Sequence, residues 1–153
     1  MATPGVKRLF VDTNILVFAT SADSPWQSAA ESALEEWRQQ GTELCLSVQV
    51  LREYLAVTTR PAPGATTPPD YRAILQNTAA FRAGFYVLED STAVSEKLEE
   101  FVRQFSVKGR QVHDANIAAT MRVHGVSDLL THNVSDFTRF APLITVHPLP
   151  GAS

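Results

Sequence analysis

The chain contains one cysteine, few glycines and no apolar run near the roughly 20 residues that a membrane span requires. It also lacks internal repeats, low-complexity tracts and any excess of basic charge. Each shortage removes a class of protein. A single thiol, Cys45, cannot close an internal disulfide, so the sequence reads as a protein of a reducing compartment. Cys45 lies inside Leu44-Cys45-Leu46 and reads as a small buried side chain. Met1 to Gly5 leads into a short apolar run that Asp12 interrupts, so no secretory leader is visible. Together these features point to a soluble, cytoplasmic chain. With 13 Lys and Arg against 16 Asp and Glu, net charge is −3. Such a balance does not announce a nucleic-acid binder, although a local basic rim and a divalent cation can still hold a phosphodiester.

What is present is ordinary globular composition in 153 residues, enough for one domain over 1–153. The stretch from Arg60 to Pro69, rich in Pro, Ala and Thr, reads as a surface loop between helices. Leu9-Phe10-Val11, Leu44-Cys45-Leu46, Phe85 to Leu88, Leu129-Leu130 and Ile144 to Val146 read as short buried strands. Ser24-Pro25 and Thr67-Pro68 each read as an N-cap followed by Pro at the first helical position. Ser47 is the expected cap of a helix with Val48, Leu51, Leu55 and Thr58 on one face. Ser91 to Phe105 carries an apolar stripe, and Asp114 opens an Ala-rich helix that Gly125 terminates. Strands alternating with helices predict an α/β domain with a mostly parallel central sheet, whose ligands bind beyond the carboxyl ends of the strands.

Acidic residues gather at those ends. Asp12 follows the first strand in Asp12-Thr13-Asn14. Glu53 lies among apolar neighbours in Leu51-Arg52-Glu53-Tyr54-Leu55. Asp114 stands in His113-Asp114-Ala115, and Asn133 and Asp136 follow Leu129-Leu130-Thr131. Taken singly, Asp12 and Asp114 serve as helix caps and Asp136 as a turn residue. Taken together they are carboxylates that repel one another until a hard divalent cation, Mg²⁺ or Mn²⁺, offsets the repulsion. Such an ion polarises a phosphate oxygen and acidifies its bound water, which is what phosphodiester hydrolysis needs. No thiolate cluster or closely spaced His pair points to zinc.

Asp12-Thr13-Asn14, Ser47 with Arg52-Glu53, His113-Asp114-Ala115 and Thr131-x-Asn133-x-x-Asp136-Phe137, in this order from about Lys7 to Pro148, resemble the PIN domain, and most closely its VapC-type toxins. The resemblance implies a three-layer α/β/α sandwich, a Mg²⁺- or Mn²⁺-dependent endoribonuclease, a homodimer and a cognate antitoxin. Asp12, Glu53 and Asp114 match the family's core acids. The fourth family acid is Asn133 here, and Asp136 three residues on is the other candidate. Thr13 and Asn14 match residues that brace the first acid. Arg52, Lys108 and Arg110 flank the acids in sequence and are candidate RNA contacts, with solvated surface charge as the plainer reading. His113, His132, His147, Trp26 and Trp37 read as structural or surface residues. A PIN-like module that binds without cutting and a housekeeping RNA-processing nuclease are the competing functions. A receiver-type signalling domain fits poorly, since it wants an acid pair after the first strand and a later Lys.

Overall fold

The computed structural model describes residues 5–151. Five strands form one sheet in which every neighbouring pair runs parallel: β1 (Arg8–Val11), β2 (Glu43–Ser47), β3 (Tyr86–Leu88), β4 (Asp128–Leu130) and β5 (Thr145–His147). Their order across the sheet is β3-β2-β1-β4-β5. A strand in the middle of a parallel sheet is covered on both faces and reads as a continuous apolar run. Leu9, Phe10 and Val11 of β1 are accordingly fully buried. Each contributes about 1.5–3 kcal/mol relative to exposure. Cys45 pairs with Phe10 in register, and burial pushes its thiol up to about 12, so it is the inert small side chain expected.

Between the strands run α1 (Thr13–Ala19), α2 (Gln27–Gln39), α3 (Val48–Thr58), α4 (Tyr71–Gly84), α5 (Thr92–Gln104) and α6 (Gln111–Val123), with a 3₁₀ segment at Val134–Phe140. Helix α1 packs on α2 and α3, and α3 on α4, whereas α5 packs on α6 and α6 on the 3₁₀ segment. Right-handed crossovers place these two sets on opposite faces of the sheet, which makes the three-layer sandwich. Tyr54 locks the first set. Its ring is buried, and its hydroxyl meets Thr20 Oγ1 at 2.9 Å and accepts from Asn77 Nδ2 at 3.0 Å, joining α1, α3 and α4. No helix among the described residues is long and apolar enough to cross a membrane.

Several boundaries differ from the sequence reading, each for a local reason. Ser24 Oγ accepts from the Trp26 amide at 3.1 Å, closing a turn, so α2 starts at Gln27 and not at Pro25. Pro69 follows Pro68 directly and disfavours helical backbone there, so α4 waits until Tyr71, and Asp70 caps it by accepting from Ala73 N at 3.1 Å. Helix α6 begins at Gln111, three residues before Asp114, which therefore sits in its first turn rather than at its cap. The buried face of α3 is Gln49, Val50, Leu51 and Tyr54, while Val48 is 39% exposed. Strand β5 is shifted to Thr145–His147. Ser47 caps α3 as expected, Ser91 caps α5, and residues 60–68 form the exposed loop.

Strand β1 lies between β2 and β4. The chain leaves β1 towards β2 on one face and leaves β4 towards β5 on the other. The crevice between those two exits is where a sheet of this kind binds ligands.

Candidate active site

Asp12 stands at the end of β1, and its amide extends the ladder by donating to Leu130 O at 3.0 Å. It caps α1 as well as facing the crevice, with Oδ1 accepting from the Thr13 amide at 2.7 Å. Oδ2 accepts from Thr131 Oγ1 at 2.8 Å and from Asn14 Nδ2 at 3.3 Å. Thr131 is fully buried, and its hydroxyl has every capacity in use. It donates to Asp12 and accepts from Asn14 Nδ2 at 3.2 Å and from the Asn133 amide at 3.1 Å. With both lone pairs taken, its one proton must point at the carboxylate. Asn14 closes the loop, since its Oδ1 accepts from the His132 amide at 3.0 Å. Burial raises the Asp12 carboxyl to about 6; the Thr131, Thr13 and Asn14 bonds hold it down, and the nearby Glu53 charge adds to the rise.

Glu53 reaches the same crevice from α3. Its Oε2 accepts from Thr13 Oγ1 at 3.0 Å and its Oε1 from Gln49 Nε2 at 2.7 Å. Gln49, one helical turn earlier, is 2% exposed and bonded at both ends of its amide. Its nitrogen also donates to His113 O at 2.8 Å, and its oxygen accepts from Asn116 Nδ2 at 2.7 Å. These bonds tie α3 to the first turn of α6, which carries Asp114.

Asp114 differs from both. It is half-buried, and no hydrogen-bond donor among the described residues reaches its carboxylate. Burial first, then the charges of Asp136, Asp12 and Glu53, push it up to about 7, against a lowering pull from Arg139. Four carboxylates from four segments therefore share one field. Asp136, exposed on the 3₁₀ segment, bears on Asp114 most strongly of the acids, while Asn133 lies at the crevice with its side chain unbonded.

All five residues line one cleft of about 800 Å³, together with Thr13, Asn14, Val17, Phe18, Ala56, Val57, Arg60, Arg110, Gln111 and His113. Of the proposed cations only Arg110 lines it; Arg52 and Lys108 are exposed elsewhere. Ser47 acts at a distance, accepting from Val50 N at 3.3 Å and so starting α3. His132 is wedged between Phe18 and Trp26, at ring separations of 5.2 and 4.6 Å, and His147 pairs with Asp128 at 2.8 Å. Sequence reasoning missed Gln49, Asn116, Arg60 and Arg139, and quoted Thr131 without giving it a role. Gln49 carried a usable signal, an amide one helical turn before the buried acid.

The donor set is all oxygen, which suits a hard divalent cation. Asp12 has about four lone-pair positions, and three take protein donors, leaving one for an ion. Asp114 has all of its positions free. Among the described residues no three His, Cys, Asp or Glu side chains are grouped so as to hold a metal ion by themselves.

The PIN domain family pattern matches residues 9–141. Ribonuclease VapC24 of Mycobacterium tuberculosis is 28% identical over 137 residues, covering 86% of this chain and 90% of the relative. Among solved structures, M. tuberculosis VapC20, described as a Sarcin-Ricin loop cleaving toxin, superposes with TM-score 0.66 at 17% identity over 90% of this chain and 96% of that one. VapBC2 from Rickettsia felis, solved bound to a promoter DNA fragment, gives TM-score 0.64 at 16% identity over 92% and 98%. With the family pattern spanning most of its length and the acids standing at the expected strand ends, this chain belongs to the PIN domain family.

Proposed function

We propose that this protein is a Mg²⁺- or Mn²⁺-dependent endoribonuclease over its whole length, the toxin of a toxin–antitoxin pair, working in the cytoplasm as a homodimer that a cognate antitoxin restrains. The observation that carries the reading is the contrast inside the cleft: an immobilised carboxylate, Asp12, faces a donor-free one, Asp114, in the field of two more acids. The toxin assignment is supported by relatives that are themselves named VapC ribonucleases or solved as VapBC assemblies.

Asp12 and Asp114 would hold the ion, with Asn133 or Asp136, which both line the cleft, completing the site. When bound, a divalent cation supplies polarisation of a phosphate oxygen and a more acidic water. Glu53 would serve as a further ligand or would orient the attacking water. Thr13 and Gln49 fix its two oxygens, so its remaining lone pairs face the cleft in one direction. Attack in line on phosphorus expels the 3′-oxygen and leaves a 5′-phosphate.

The test is incubation of purified protein with total RNA, with Mg²⁺, with Mn²⁺ and with a chelator, followed by mapping of the ends. Ion-dependent cuts bearing 5′-phosphates are expected, and Asp12→Asn should lose them while its circular dichroism is unchanged. Cleavage that survives chelation, or full activity in Asp12→Asn, overturns the proposal.

A further inference from the structure

The acids are only part of the cleft lining, which also has apolar and basic side chains. On α1 the lining residues are Thr13, Asn14, Val17 and Phe18; on α3 they are Glu53, Ala56 and Val57, at the i, i+3, i+4 spacing of one helical face. Arg60 lies two residues beyond the end of α3, on the turn that follows it, its amide donating to Val57 O at 3.3 Å. An acid, a short apolar wall and a guanidinium thus line the same cleft.

Two features mark the wall as a surface for a ligand. Val57 lines the cleft and is 43% exposed, so a large part of its apolar surface is open to solvent. Phe18 is held rigid from behind, edge-on to His132 at 5.2 Å and tilted against Trp26 at 6.4 Å. A rigid aromatic wall presents its apolar area with little ordering cost on binding.

From this geometry we infer that the Val17, Phe18, Ala56 and Val57 wall is a subsite for one unpaired nucleobase next to the scissile phosphate, with Arg60 taking the neighbouring phosphate. The inference rests on the nuclease reading only for where the scissile phosphate lies. Covalent continuity then puts the adjacent nucleosides on the surfaces that flank the acids, which are this wall and the side lined by Arg110, Gln111 and His113. Of the two, the wall is apolar and carries a cation beside it, the complement of a base followed by a phosphate. A base held in a duplex is turned towards its partner strand and cannot lie on this wall. The wall side chains carry no hydrogen-bonding group, so the subsite reads whether a base is free rather than which base it is.

Binding of a fluorescent pentaribonucleotide, measured by anisotropy in chelator so that nothing is cut, tests this against a base-free pentamer of the same ribose-phosphate backbone. Wild-type protein should bind the base-bearing pentamer about tenfold more tightly, and Val57→Asp should lose that preference. Arg60→Ala should keep the preference for bases but flatten the slope of log Kd against log salt by about 1. Val57 is exposed, and melting curves confirm that each variant is folded. Equal affinity for the two pentamers in wild type, or an unchanged preference in Val57→Asp, overturns the subsite and leaves the wall as a protein-docking face. Either outcome is independent of cleavage. Absence of ion-dependent cutting counts against the nuclease reading alone.

Discussion

The exit of β1 and the first turn of α6 both deliver a carboxylate whose proton affinity is raised, yet they do so by opposite construction. At the β1 exit, Asp12 is 6% exposed and bonded by Thr13, Asn14 and Thr131, so burial dominates while three donors work against it. In the first turn of α6, Asp114 is more open and has no donor, and neighbouring acids add to the rise. One region is finished by the protein; the other is left for something else to finish. An ion site assembled this way has a fixed half and an adjustable half, which suits a cation that keeps most of its water and a substrate that must enter and leave.

Substitutions in the two regions should therefore fail differently. Asp12→Asn and Asp114→Asn should each lower RNA cleavage by about 10³-fold or more. Asp114→Asn should also raise the melting temperature of the ion-free protein, because it removes repulsion without stranding a donor. Asp12→Asn should raise it less, because removal of the same kind of buried charge there leaves one of the donors from Thr13, Asn14 and Thr131 without an acceptor. Equal thermal shifts would erase the distinction drawn here.

Next in size is Thr131→Val, which keeps the shape and removes the proton aimed at Asp12. A loss of about 10–100-fold in ion affinity or cleavage is expected, read by titrating Mn²⁺ in the cleavage assay. An unchanged midpoint would show that the Thr131 bond does not order the site.

The pH dependence separates the regions further. Both carboxyls hold protons more tightly folded than unfolded, since their usual value of 3.8 becomes about 6 and about 7. Their contribution to the ion-free protein is fully present below about pH 4 and is lost as pH rises through 6 to 7. An ion must compete with those protons. Mn²⁺ should therefore raise the melting temperature by several degrees at pH 8 and by little at pH 5. An equal shift at both pH values contradicts this account. The smallest effect belongs to Ser47→Ala, which removes the cap of α3 for about 1 kcal/mol of stability, measured by denaturant unfolding, with the ion titration midpoint unmoved.

The strands were legible because fully covered parallel strands are short, apolar and bounded by polar residues, as Leu9-Phe10-Val11 before Asp12 illustrates. The start of α3 was legible because Ser47 caps it directly, and starts were misread where Ser24 closed a turn and Pro69 delayed α4. The start of α6 was hidden because its first turn is held from inside, with Gln111 Oε1 accepting from the Lys108 amide at 3.0 Å and no capping side chain at Arg110. Acids at strand ends stood out by type and position. Their supports did not, since the Thr131 bond to Asp12 spans 119 positions and the Asn116 bond to Gln49 spans 67. A buried amide or hydroxyl has no distinctive sequence context; only proximity reveals it. Arg52 and Lys108, near the acids in sequence, are exposed and are not part of the cleft lining, whereas Arg110 is.

Because β1 is paired with β4 as well as β2, the pocket has a birth date within synthesis. A nascent chain that has emerged only as far as Gly109 has β1, β2 and β3 but neither the turn that brings Asp114 nor the strand exit that brings Thr131 and Asp136. Domains fold as the ribosome releases them, at roughly 5–20 residues per second. Until the segment that carries Asp114, Thr131 and Asp136 has emerged and β4 has paired with β1, then, the chain cannot assemble the four-acid cleft.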